Sequence, residues 1–254
     1  MATLCRILVL GLALSASSMR ALAQEVAEPL PWSVQLAAEI GIGMREIRLP
    51  RDNVTYEIAT GVYPALGVAF ALDHHSSQRV SVGLVARYQS SIGLVLDEQL
   101  TGGTPHSRKT RSHQFEVGIA PSLHWEESGW ALSGMVGYSI SELDPENHLV
   151  TPSYHLGGPH ARISVRVPLG SQRFCLNVGG DGQLTLQVGD ELRMRGVSAQ
   201  GFGAGVNAAL EVRLGAHWWI AATYRELRYG LGTQQGPSFT DAARIITAQL
   251  RGTL

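Results

Sequence analysis

Three short stretches of this sequence carry residue types that could do chemistry. Asp73-His74-His75 offers a carboxylate and two imidazoles, the usual donors for a divalent metal. It lacks the i,i+2 spacing that would put both rings on one face of a strand and has no cysteine partner, so it reads as a plain turn and no metal is assigned. Cys175 has Arg173 two residues before it on the same face, which would favour a thiolate. No histidine lies nearby in sequence to act as its base, and an inert thiol is the simpler reading. The run Gly179-Gly180-Asp181-Gly182 has the glycine content of a phosphate loop, but no helix follows, so it is expected to mark a bulge or bend in a strand. Asn53-Val54-Thr55 fits a glycosylation sequon, a short pattern that by itself is a weak match. No catalytic residue and no cofactor is assigned from these motifs.

The elements that would position such residues are strands. Trp32, Val34, Leu36, Ala38, Ile40, Ile42 and Met44 share one face of the first segment, and Ser33, Gln35, Glu39 and Arg45 share the other. This period of two places a strand between an apolar and a polar environment. The same alternation recurs around residues 65–72, 80–88, 114–124, 130–139, 162–169, 174–179, 202–214, 218–225 and 246–254, which makes ten strands, with eight or twelve as alternatives. Short breaks at 73–79, 126–129, 170–172 and 215–217 interleave with long polar segments near 49–60, 97–112, 141–157, 188–199 and 230–241.

The chain has 254 residues and a formal charge of -1 without long runs of one sign, which gives no footprint for nucleic acid. Arg6, the apolar run 7–14 and Ala21-Leu22-Ala23 read as a secretory signal peptide over 1–23 cleaved after Ala23, followed by a short periplasmic segment over 24–31. The mature part keeps one cysteine, Cys175, so no internal disulfide can form.

The tryptophans choose between a soluble and a membrane barrel. Trp32, Trp125, Trp130, Trp218 and Trp219 all fall at strand ends beside short breaks, while Tyr88, Tyr138 and Tyr224 fall in the opposite halves of their strands. Aromatics with a polar edge collect at membrane interfaces, so Trp32, Trp125, Trp130, Trp218, Tyr88, Tyr138 and Tyr224 are expected to face lipid headgroups. Lys109 is the single lysine, and the polar faces are rich in Gly, Ala and Ser, as a narrow lumen requires and a solvated exterior does not. The charges on those faces, Glu39, Arg87, Glu116, Arg162, Arg166, Asp181, Glu211, Arg213, Arg225 and Arg251, are then expected to pair in the lumen or to set the ion preference of a pore.

On this pattern residues 32–254 resemble the single-chain bacterial outer-membrane β-barrel proteins. The resemblance implies an all-β, closed, antiparallel up-and-down transmembrane barrel in the bacterial outer membrane, with outer-membrane lipid as its surroundings. It also implies insertion by the barrel-assembly machinery, which reads a terminal strand; here Leu254 stands where an aromatic is usual. Ten-stranded omptin proteases are similar in strand number and use an Asp–His pair with further acids at the outer rim. Asp97, Glu98, His106 and His113, or Asp144, Glu146 and His148, are the residues that could supply one, and solvated loop charges are the simpler reading. Lipid A deacylases carry a His and Ser on the lipid face, and no such pair stands on the apolar faces here. The expected role is a non-enzymatic structural or surface-interaction barrel with narrow-pore permeation as an added capacity. The alternatives are an outer-membrane hydrolase with its site at the extracellular rim, or a secreted soluble barrel binding a small apolar ligand. Neither the partner of the extracellular loops nor the oligomeric state is written in the sequence.

Overall fold

The computed structural model describes residues 32–51, 54–77, 79–98, 106–125, 127–146, 151–233 and 238–254. The signal peptide and short segment expected in 1–31, the sequon asparagine at 53 and the histidine at 148 lie outside the described residues.

Among the described residues thirteen strands and one short helix form in chain order: β1 (Trp32–Arg51), β2 (Val54–Thr60), β3 (Tyr63–His75), β4 (Val80–Ser91), β5 (Leu94–Glu98), β6 (His106–Trp125), β7 (Trp130–Pro145), β8 (Tyr154–Leu169), β9 (Ser171–Thr185), β10 (Gln187–Val188), α1 (Asp190–Met194), β11 (Val197–Arg213), β12 (Trp218–Thr233) and β13 (Phe239–Thr253). Ten of them, β1, β3, β4, β6, β7, β8, β9, β11, β12 and β13, pair antiparallel with both neighbours in a closed ring. The seam is the pairing of first and last strands, from Gln35 opposite Thr253 to Arg48 opposite Thr240. Closure leaves no free edge among these ten ring strands, so the membrane wall needs no water to complete its ladders. β2, β5 and β10 are additions at the long-connection end: β2 pairs β1 and β5, β5 pairs β6, and β10 pairs β8.

The apolar face of the alternation points outward. On β1, Ile40 is 63% exposed while its neighbour Glu39 is 3% exposed, and on β7 Val136 is 68% exposed. A soluble barrel with its apolar face inward is therefore overturned, because water would meet an unbroken belt of Ile, Val, Leu and Phe. Trp32, Trp125, Trp130 and Trp218 stand exposed at the short-turn end of this belt. Tyr88 and Tyr224 are exposed towards its other end, and Tyr138 is half-buried. Trp219 has the opposite parity and turns into the lumen.

Three expectations from the sequence are corrected. The segments 49–60, 97–112, 141–157, 188–199 and 230–241 are in large part strand rather than loop: β1 runs to Arg51, β6 begins at His106, β7 ends at Pro145 and β12 continues to Thr233. The Gly179–Gly182 stretch is neither bulge nor bend, since its pairings with β8 and β11 run in unbroken register. Asp73, His74 and His75 belong to the end of β3, and the turn follows at Ser76, whose backbone N–H bonds the carbonyl of Val80.

The first of these corrections has its cause in the alternation itself. Above Met44 the alternation on β1 changes phase: Glu46 and Arg48 point outward and exposed, while Ile47 and Leu49 are buried inward. On β7 the change comes between Ile140 and Leu143, and on β12 between Tyr224 and Leu227. Below it the wall faces an apolar surrounding and encloses polar groups; above it the wall carries charge outside and apolar groups inside. Leu49, Leu94, Leu96, Leu143, Leu156, Leu231 and Phe239 meet in that upper part as a hydrophobic core. The barrel is a membrane wall in its lower part and an ordinary packed β-protein in its upper part.

Candidate functional site

The lumen is filled in layers, each built from inward positions of several strands. In the middle layer Glu116 of β6 and Asp181 of β9 hold four cationic or polar side chains, from β8, β11 and β12. Arg162 of β8 donates its Nε to Asp181 at 2.6 Å and a terminal nitrogen to Glu116 at 2.9 Å. Arg225 of β12 pairs with Glu116 and reaches Asp181 at 3.3 Å. Asn207 Nδ2 donates to Asp181 at 2.9 Å, and His160 Nε2 lies 3.0 Å from the same carboxylate. An ion buried alone would cost several kcal/mol, and each of these carboxylates instead shares two guanidinium partners.

Above this layer stands a second one that sequence reasoning missed. Arg45 donates its Nε to Asp241 at 2.8 Å and Nη1 to Ser112 Oγ at 2.7 Å, so the seam strands are tied to β6. Tyr154 Oη donates to Asp241 at 2.9 Å, and the Arg45 guanidinium lies 5.6 Å from the centre of the Tyr154 ring. Between the two layers Gln183 accepts from Ser139 Oγ at 2.5 Å and from Tyr229 Oη at 2.9 Å. Glycine makes room for the Tyr229 ring, because a Cβ on Gly203 would lie 2.7 Å from it. A cavity of about 30 Å³ remains beside Arg45, lined by Gln89, Ser112, Ser141, Arg225 and Tyr229, enough for a single water.

Below the middle layer Arg87 forks onto Glu39 at 3.0 and 2.8 Å, and Gln249 donates to Glu39 at 2.6 Å. At the short-turn end Arg166 and Arg251 share Glu211 at 3.0 and 3.3 Å. Arg213 bonds the backbone carbonyls of Gly215 and Ala216 in the turn below it, at 2.9 and 3.3 Å. The ten charges singled out from the sequence thus all stand on inward-facing positions, nine in carboxylate pairs and Arg213 on carbonyl groups.

The rim residues are placed differently. Asp97 accepts from Ser107 Oγ at 2.8 Å on the outer wall, and His113 Nδ1 meets Tyr88 Oη at 2.8 Å, also on the outer wall. Asp144 accepts from Ser153 Oγ at 2.6 Å, and Glu146 is exposed. The β5–β6 register sets Glu98 opposite His106, and among the described side chains neither Asp97 nor Asp144 bonds a histidine. Nor does any group of three His, Cys, Asp or Glu converge as for a metal among them. Asp73 takes its bond from Gln35, and Cys175 Sγ lies 3.7 Å from the Gln172 carbonyl. The missed residues Arg45, Asp241, Tyr154 and Gln183 had one signal in the sequence, the change of phase along β1, β7 and β12.

No protein-family model matches the sequence. No curated protein matches it either. Solved structures do match in fold. The outer membrane protease OmpT from Escherichia coli superposes with a TM-score of 0.54 at 12% identity, covering 91% of this chain and 99% of that chain. The translocator domain of autotransporter NalP from Neisseria meningitidis gives a TM-score of 0.45 at 8% identity, over 96% of this chain and 97% of that one. The outer membrane protein OprG from Pseudomonas aeruginosa gives 0.37 at 9% identity, over 87% and 95%. At 12% identity the likeness to the OmpT structure is one of fold, and it agrees with the closed ring and the outward apolar belt. In fold, this chain is an outer-membrane β-barrel.

Proposed function

We propose that the protein is a closed, non-enzymatic barrel of the bacterial outer membrane, with a structural and surface-interaction role. Residues 1–23 serve as its signal peptide, removed after Ala23, and residues 24–31 remain in the periplasm. The short turns and the C-terminus face the periplasm, as in barrels of this architecture, and the long connections face outward. The barrel-assembly machinery inserts it, and lipid surrounds the apolar belt.

The observation that carries this reading is the filling of the lumen. A selective pore keeps charges hydrated along a water path. Here Glu39, Glu116, Asp181, Glu211 and Asp241 each bind at least one guanidinium, and the apolar core around Leu143, Leu156 and Phe239 lies above them. Ten strands leave little more than side-chain room inside. The elevated strand ends then act as a rigid platform for the outer connections.

Reconstitution of residues 24–254 in planar bilayers tests this. The expected result is a flat current at all applied voltages. Reproducible conductance steps, above all with anion preference from the arginine excess, would replace the closed barrel by a pore.

A further inference from the structure

The lumen charges pair one to one in the Arg45–Asp241 layer and two to two in the Glu116–Asp181 layer, but not at the short-turn end. Trp219, the one tryptophan among the described residues that turns inward, carries three guanidinium groups around its ring. Arg166 lies 4.7 Å, Arg251 5.5 Å and Arg213 5.6 Å from its centre. Glu211 is the carboxylate that Arg166 and Arg251 share, and Arg213 is satisfied only by neutral carbonyls. The other carboxylate lining this end is Asp73, held by Gln35 at 3.1 Å, with His75 on Ser33 and His124 on Ser81 beside it. Among the described lining residues three cations therefore meet two carboxylates, while exposed charges of both signs, Arg79, Arg173 and Glu127, stand around the mouth.

Guanidinium groups clustered on one ring repel each other unless an anion stands among them, and a face of an aromatic ring only partly offsets that. The side chains of Arg166 and Arg251 are 28% exposed, so they remain reachable from the open end. Glu211, by contrast, is buried behind them. A planar cation with several N–H donors in a fixed fork fits the oxygen atoms of phosphate or carboxylate.

We propose that this vestibule, formed by Arg166, Arg213, Arg251 and Trp219, is a binding site for a small soluble oxyanion that enters from the short-turn end. The anion sits between Arg213 and the Arg166–Arg251 pair and supplies the charge that Glu211 alone does not. The site lies below the filled layers, so occupancy needs no passage through the barrel and does not depend on whether the lumen conducts.

Calorimetric titration of the refolded barrel with inorganic phosphate, in zwitterionic detergent at fixed ionic strength, tests the proposal. Saturable one-site binding is expected. Arg213→Gln and Arg251→Gln should each weaken it about tenfold or more, as loss of a hydrogen bond to a charged group does. Arg228→Gln, on the outer wall, should leave it unchanged. Arg213 touches no carboxylate, so its variant decides the matter even if Arg251→Gln fails to fold. Absence of saturable binding, or equal weakening by Arg228→Gln, overturns the site.

Discussion

Arg45 and Asp241 stand 196 residues apart in sequence and meet across the seam where the first and last strands close the barrel, with nitrogen–oxygen distances of 2.8 and 2.5 Å. Both side chains are almost wholly buried. The pair does more than join neighbours, because Arg45 continues to Ser112 on β6 and Asp241 to Tyr154 on β8. Closure of the ring and filling of the upper lumen are thus one structural event.

Breaking that pair from either side should be costly. Arg45→Met or Asp241→Leu leaves a buried charge without its partner and should lower stability by about 3–5 kcal/mol. The double variant should recover much of the loss, since it removes both charges together. Urea unfolding in detergent micelles, followed by tryptophan fluorescence, reads all three.

Asp181 should matter comparably, and an exposed pair should not. Asp181→Asn deprives Arg162 and Arg225 of a shared carboxylate, and a loss of about 3–5 kcal/mol is expected. Glu57→Gln breaks the pair with Arg48, both largely exposed, and should change stability by less than about 1 kcal/mol. The same unfolding assay separates the two.

The ring of Tyr229 occupies space that only glycine leaves open. Gly203→Val should push it aside, strain its bond to Gln183 and cost about 1–3 kcal/mol by overpacking. Gly230→Val faces open space and should be close to neutral in the same measurement.

The membrane wall can be probed by depth. Val136 points outward near the middle of the apolar belt, six residues beyond Trp130, and Val136→Arg should cost about 2–4 kcal/mol in a bilayer. Glu142→Arg, on the same strand and face but above the change of phase, should cost little. Equal effects at both positions would remove the boundary drawn from the alternation.

The wall was legible in the sequence because each strand repeats one simple constraint. Lipid outside and a narrow lumen inside leave a period-two pattern that residues such as Ile40 and Glu39 display without any tertiary information. The lumen-facing charges were readable for the same reason, as polar positions on a known face. The upper part was not, because its strands obey the opposite code. Ile47, Leu143 and Leu227 look misplaced if one rule is carried along the whole strand, and the segments that hold them read as loops. Which charge meets which was hidden too. The partners of Asp181 come from β8, β11 and β12, and only the closed register brings them together. Trp219 already stood on the polar parity of its strand, but the three arginines that meet its ring come from β8, β11 and β13 and were not legible together.

Everything else depends on the apolar belt facing lipid. Residues 24–254 should be refolded with and without detergent and their gel mobility compared before and after boiling. A fast-migrating, β-rich form is expected that appears only with detergent and slows on boiling. The same compact form in plain buffer would contradict that expectation, since a belt containing Ile40, Val136 and Ile163 cannot stay dissolved on the outside of a protein in water.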